Sequence, residues 1–250
     1  MKIWISGAMG HMGRAIAAQA AERGITVVGG VDAHPAEAAF PVYASFADVP
    51  VCGDVIIDFS RPEGLAPLLD YAVANGIPAV LATTGYTEEQ LAQIKQASEK
   101  IAIFRSANMS LGIAVLKKLC ADAARILGDG FDVEIVEAHH NRKVDAPSGT
   151  ALLLYDAMKD VYDEERVAQV GRSGRDCKRK HNEIGIHALR GGTVTGEHEV
   201  CFFGTSERIK LSHSAEDRSV FAAGALKAAE WLTTKAYGIY SMDELVAEVQ

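Results

Sequence analysis

Residues 137–151 read EAHHNRKVDAPSGTA and hold two adjacent histidines, a lysine, an aspartate and a Pro-Ser-Gly-Thr turn. Such groups suit proton delivery to a small anion. His139 can donate a proton near neutral pH, and Lys143 becomes a proton donor when desolvated beside another positive group. Residues 145–150 look like a turn entering a helix, with Ser148 or Gly149 near the N-cap and backbone N–H groups exposed to hold a carboxylate. A metal site is disfavoured. Neighbours on a strand point to opposite faces, so His139 and His140 chelate poorly, and Glu137 and Asp145 add no recognised ligand spacing.

A second constellation opens the chain. In GAMGHMG, Gly7, Gly10 and Gly13 lie between a strand-like run and a helix-like one. There, bare backbone approaches a pyrophosphate and the helix N-terminus favours the anion. The spacing G-x-x-G-x-x-G is less common than G-x-G-x-x-G, so its context carries the weight. Asp32 closes the next strand-like run, about 20 residues on, where a carboxylate accepts from the hydroxyls of an adenosine ribose. That carboxylate repels a 2′-phosphate, while His11, Arg14 or His34 would offset it if brought near, so both NADH and NADPH stay open. Taken together, the two constellations suggest hydride transfer to a polarised C=C or C=N bond of a small acid, with a proton from the opposite side.

The elements that must position these groups alternate. Apolar or β-branched runs at 3–5, 25–31, 54–59, 78–83 and 101–104 are separated, in the later part, by the helix-like stretches PEGLAPLLDYAVANG and TEEQLAQIKQASEK, which implies a parallel sheet wrapped by helices. After Asn108 a second module begins: a helix over 111–127, a strand over 132–137, the opening motif and a helix over 150–161. Residues 183–213 form three strand-like pieces broken by turns, expected as an antiparallel meander. A last helix over 218–232 is expected to return to the first module. The fold class is therefore α/β, a Rossmann-like parallel sheet domain with a second α+β domain.

Bulk properties narrow the function class. With 250 residues, 48% hydrophobic, the chain buries a substantial core, and it contains no apolar run long enough to span a bilayer. A net charge of -8 argues against nucleic acid. Cys52, Cys120, Cys177 and Cys201 are scattered, which fits reduced thiols, and the start of the chain lacks a secretory pattern, so a cytoplasmic location is expected. The basic run 172–180 (RSGRDCKRK) is read as a solvated loop.

The strings GAMGHMG, IDFSRPEG (57–64), ATTGY (82–86), SANMSLG (106–112), EAHHNRKVDAPSGTA and RGGTVTGEH (190–198) together resemble the dihydrodipicolinate reductases, nearly end to end. The resemblance implies NADH- or NADPH-dependent reduction of a cyclic dicarboxylate to tetrahydrodipicolinate, with loss of water, in diaminopimelate and lysine biosynthesis. It gives His139 the role of proton donor or acceptor and Lys143 that of second proton donor. His140 contacts substrate, and Gly149 with Thr150 binds a substrate carboxylate, beside Ser148 of the same turn. Gly7, Ala8, Met9, Gly10, His11 and Met12 form the pyrophosphate turn and Asp32 takes the ribose. Ala82, Thr83 and Thr84, with Ser106, Ala107, Asn108 and Met109, face the nicotinamide. Some family members carry arginine directly after the acidic ribose residue; here Ala33 stands there, which implies NADH preference or weak discrimination.

By the same resemblance, residues 1–109 and 217–250 form the dinucleotide-binding domain, and residues 110–216 bind substrate and assemble a homotetramer. Two rival readings are a different two-domain NAD(P)-dependent oxidoreductase of the amino-acid dehydrogenase type and a non-catalytic dinucleotide sensor. The His139, Lys143 and Ser-Gly-Thr set speaks against the sensor.

Overall fold

The computed structural model describes residues 1–248, which form two compact units. Unit 1 combines Met1–Leu111 with the segment from Arg218 onward, and unit 2 is Gly112–Asp217.

Unit 1 runs β1 (Lys2–Ser6), α1 (His11–Glu22), β2 (Thr26–Val31), β3 (Val42–Tyr43), β4 (Val55–Asp58), α2 (Leu65–Asn75), β5 (Ala79–Leu81), α3 (Glu88–Ala97) and β6 (Ala102–Arg105). It resumes with α6 (Ser219–Leu232), β12 (Gly238–Tyr240) and α7 (Met242–Glu248). The seven strands are all parallel in the order β12, β6, β5, β4, β1, β2, β3, a Rossmann-like sheet. Parallel strands covered on both faces need continuous apolar runs, and all four residues of β4, Val-Ile-Ile-Asp, are buried. Helix ends are written locally. Thr87 and Gln90 exchange reciprocal hydrogen bonds at the start of α3, and Gly76 ends α2 in the left-handed conformation. Trp4, wholly buried, anchors the core and donates its indole N–H to the Cys52 carbonyl at 2.5 Å.

Unit 2 is built from α4 (Leu111–Leu127), which begins at the last residue of unit 1's first segment, then β7 (Asp132–His139), α5 (Gly149–Lys159), β8 (Val167–Val170), β9 (Glu183–Arg190), β10 (Gly196–Phe203) and β11 (Arg208–Ala215). Its core joins Ile113, Leu116 and Cys120 of α4 and Leu154 and Met158 of α5 to Val133, Ile135, Ile186, Val200 and Phe202 of the sheet.

The sheet of unit 2 corrects the expected meander. Its order is β11, β10, β7, β9, β8: β9 pairs in parallel with β7 and β8, and only β10 and β11 form an antiparallel hairpin. The segment between β9 and β10 contains Gly191 and Gly192 and invites a hairpin reading. Yet β7 lies between the two strands and takes hydrogen bonds from both. The basic run is also more than a solvated loop. Arg172 binds Glu183 at 2.9 Å and Glu134 at 3.2 Å, and Arg179 binds Asp132 at 2.6 Å and Glu134 at 3.2 Å, so two of its cations tie the run to β7 and β9.

Candidate active site

In unit 1 the expected cofactor residues follow the carboxyl ends of β1, β2, β5 and β6, the usual ligand edge of a parallel sheet. A cleft of about 740 Å³ is lined by Gly7, Met9, Gly10 and Asp32, along with His34, Ser45, Phe46 and Arg61. Gly7 has φ +77°, and a Cβ there would stand 2.5 Å from the Phe59 carbonyl oxygen; a Cβ on Gly13 would overlap the Gly7 carbonyl. Only glycine permits this turn. Gly10 caps α1 without a side-chain hydrogen bond, and no acidic residue occupies the first helical turn. That helix start is electrostatically open to an anion, so the residues present fit a dinucleotide pyrophosphate.

The Asp32 carboxylate accepts from the Met9 N–H at 2.9 Å and the His34 N–H at 3.0 Å, which ties it to the glycine turn. Ala8 is buried in that turn, and His11 and Met12 begin α1; these three lie outside the cleft lining.

The loop after β5 hangs on a residue to which the sequence motifs assign no role. Asp58, buried at the end of β4, accepts from the Thr83 hydroxyl at 2.7 Å and the Ser60 hydroxyl at 2.6 Å, with the Tyr86 hydroxyl at 3.4 Å, while its carbonyl accepts from the Ala82 N–H at 2.9 Å. Burial, then the nearby Asp58 charge, raises the Tyr86 pKa and keeps it a donor. Thr84 follows Thr83 in the same loop. After β6, the Ser106 hydroxyl donates to the Asn108 carbonyl at 2.7 Å, the Asn108 side chain accepts from the Ser110 N–H at 2.9 Å, and Met109 is buried; Ala107 completes the turn. A buried carboxylate at a strand end beside Ser, Thr and Tyr is the signal that marks Asp58.

In unit 2, His139 is the last residue of β7 and His140 the first beyond it, its N–H donating to the Val194 carbonyl at 2.7 Å. His139 Nδ1 lies 2.6 Å from Glu137 Oε2, and its ring meets the His198 ring edge to face at 5.2 Å. Lys143 Nζ pairs with Asp145 Oδ1 at 2.8 Å. Hydrogen bonding to Lys143 depresses the Asp145 pKa. Ser148 is the N-cap of α5, its hydroxyl accepting from the Ala151 N–H, and Gly149 and Thr150 open the helix. His139, Ser148 and the start of α5 thus share one neighbourhood.

His198, from β10, was quoted in the sequence motif without a role. It is 5% exposed and shares a hydrogen bond with Ser148 Oγ at 3.1 Å, and its Nδ1 has no partner among the described residues. Burial, reinforced by the charge of His139, lowers its pKa from 6.5 to about 4. The unfolded chain therefore binds the proton more readily, so the stability His198 contributes above pH 6.5 is lost as pH falls toward 4. We expect the melting temperature to drop across that interval and His198→Gln to flatten the drop; an unchanged slope would remove His198 from this role.

A family model described as dihydrodipicolinate reductase, N-terminus, matches residues 1–109, and one described as dihydrodipicolinate reductase, C-terminus, matches residues 112–246. The 4-hydroxy-tetrahydrodipicolinate reductase of Caldanaerobacter subterraneus subsp. tengcongensis is 50% identical over 98% of both chains, and that of Clostridium novyi is 46% identical over 98% of both. Among solved structures, a dipicolinate-bound dihydrodipicolinate reductase from Paenisporosarcina sp. TG-14 superposes with a TM-score of 0.82 at 23% identity, covering 98% of this chain and 99% of the other.

Proposed function

Because the chain belongs to the dihydrodipicolinate reductase family, we propose that unit 1 binds the nicotinamide nucleotide and that unit 2 binds and protonates the cyclic dicarboxylate. The activity is that of a 4-hydroxy-tetrahydrodipicolinate reductase, an NAD(P)H-dependent oxidoreductase of diaminopimelate and lysine biosynthesis. The substrate loses water, gains a hydride and a proton, and leaves as tetrahydrodipicolinate. The bound nucleotide supplies the hydride; the proton is this chain's task.

Gly7 to Met12 cradle the pyrophosphate, Asp32 orients the ribose, and Ala82–Thr84 with Ser106–Met109 line the nicotinamide side. His139 carries the reaction's proton, Lys143 is the second proton donor, and His140 contacts the substrate. Ser148, Gly149 and Thr150 hold a substrate carboxylate at the start of α5, where helix N–H groups favour an anion. One observation carries the reading of unit 2: the imidazole of His139 and the N-cap of α5 are tied to the same buried carboxylate, Glu137. The dipicolinate bound by the Paenisporosarcina enzyme, itself a cyclic dicarboxylate, supports the substrate class. The test is NADH and NADPH oxidation with substrate generated in place by a dihydrodipicolinate synthase from pyruvate and aspartate semialdehyde. Consumption that depends on the synthase product is expected; nucleotide binding with no consumption would overturn the reading.

NADH is used in preference to NADPH, or the two are weakly discriminated. Asp32 lines the cleft with Ala33 beside it, and its carboxylate opposes a 2′-phosphate. A KM for NADPH at or above that for NADH is expected. Ala33→Arg should lower the NADPH value about tenfold, the scale of one hydrogen bond to a charged group. An NADPH KM far below that for NADH in the unmodified enzyme would count against this.

A homotetramer is assembled through the sheet of unit 2, whose face opposite the helices leaves Leu189 and Phe203 exposed, a supporting feature. We place the enzyme in the cytoplasm, in keeping with four free cysteines. Among the described residues, no helix is long and apolar enough to cross a membrane.

A further inference from the structure

Glu137 is wholly buried, yet its carboxylate accepts four hydrogen bonds. Oε2 takes His139 Nδ1 at 2.6 Å and Arg190 Nη1 at 2.8 Å, while Oε1 takes the Ser148 N–H at 3.0 Å and Arg190 Nη2 at 2.8 Å. Arg190 spends its second bond from Nη2 on the Asp145 carbonyl at 2.7 Å. The carboxylate therefore has its bonding capacity filled from three directions: the end of β7, the start of α5 and the end of the neighbouring strand β9. Burial alone would raise its pKa, but the hydrogen bonds from Arg190, His139 and Ser148 outweigh burial, and the net shift is down. It stays an anion.

An ionised carboxylate only accepts hydrogen bonds, so the imidazole nitrogen facing it must carry a hydrogen. We infer that Glu137, clamped by Arg190, is a positioning residue that fixes His139 as the Nδ1–H tautomer, leaves Nε2 as the atom that exchanges the proton, and holds that atom in register with the carboxylate-binding start of α5. The inference rests on the reductase reading for its purpose but not for its geometry. His198 closes the ring's flank edge to face, which limits rotation of His139 about its own axis. Unlike His139, Glu137 has no exposed atom with which to meet a substrate, so its effect on turnover passes through the imidazole and the turn.

The first measurement is the ¹⁵N spectrum of His139 in the full-length, unmodified protein, above the imidazole titration. The Nδ1–H tautomer is expected, and a dominant Nε2–H tautomer overturns the inference whatever the enzyme reduces. The second is Glu137→Gln, whose amide NH₂ replaces one acceptor with a donor. It should mix the tautomers and lower kcat by roughly 10²-fold, the low end of what a general acid contributes, with NADH affinity unchanged. Glu137→Asp should recover the Nδ1–H signal in part. Should Glu137→Gln not fold, Arg190→Lys keeps the charge, loses the two-pronged contact and should shift the same signals in the same direction. Unaltered tautomer and turnover in a folded variant overturn the positioning role. Absent turnover of the dicarboxylate by the unmodified protein, with the Nδ1–H tautomer present, would instead fault the reductase reading alone.

Discussion

Replacing His139 or Lys143 by alanine should lower kcat by about 10²-fold or more, the usual scale for a general acid, while NADH binding persists. The loss corresponds to about 2.7 kcal/mol of transition-state stabilisation. Neither change should unfold the protein. Without the His139 imidazole, Glu137 still accepts from Arg190 and the Ser148 N–H, so no buried charge is stranded. Without the Lys143 ammonium, Asp145 is left half exposed to water, where an unpaired carboxylate costs little. If the two groups serve one proton-transfer sequence, the double variant should lose far less than the product of the single losses. Steady-state kinetics, NADH titration and thermal melts separate the possibilities; normal turnover in both single variants would remove the pair from the mechanism.

The second large effect is expected at Gly149, where stability and binding should move in opposite directions. A Cβ placed there meets nothing within 4 Å, and the residue opens α5, so the fold has no steric need for glycine. Alanine in a helical position gains up to about 1 kcal/mol over glycine, and the melting temperature of Gly149→Ala should hold or rise. If a substrate carboxylate approaches that backbone, the added methyl occupies its place. Overpacking of about 1–3 kcal/mol then raises the KM for the dicarboxylate roughly 5- to 150-fold, with the KM for NADH unchanged. An unaltered dicarboxylate KM would move the carboxylate site away from the start of α5.

What the sequence made legible follows the range of the interactions concerned. The parallel sheet was readable because its strands are short apolar runs, buried on both faces, with helices between them. The glycine turn and Asp32 were readable because adjacent elements position both. The placement of β9 and β10 was not: the hairpin signal between them is local, while the insertion of β7 reflects pairing with residues about 50 to 70 positions earlier in the chain. Glu137 sits between these cases. Val133, Ile135 and Glu137 alternate along one face of β7, so a carboxylate on the core side was implied by the period of two. Its partner Arg190 was also in view, but only the strand register brings the two together.

Unit 1 is made of two separated pieces of chain, and this bears on synthesis. Residues 1–111 leave the ribosome without α6, whose buried Ala225, Leu226, Ala229 and Leu232 belong to the core of the same unit, and without β12, which pairs with β6. Unit 2 follows as one continuous stretch and is complete in sequence first. The order of translation thus finishes unit 2 before unit 1. Meanwhile the unfinished sheet keeps an unpaired edge and an uncovered apolar face, features that favour aggregation and chaperone capture.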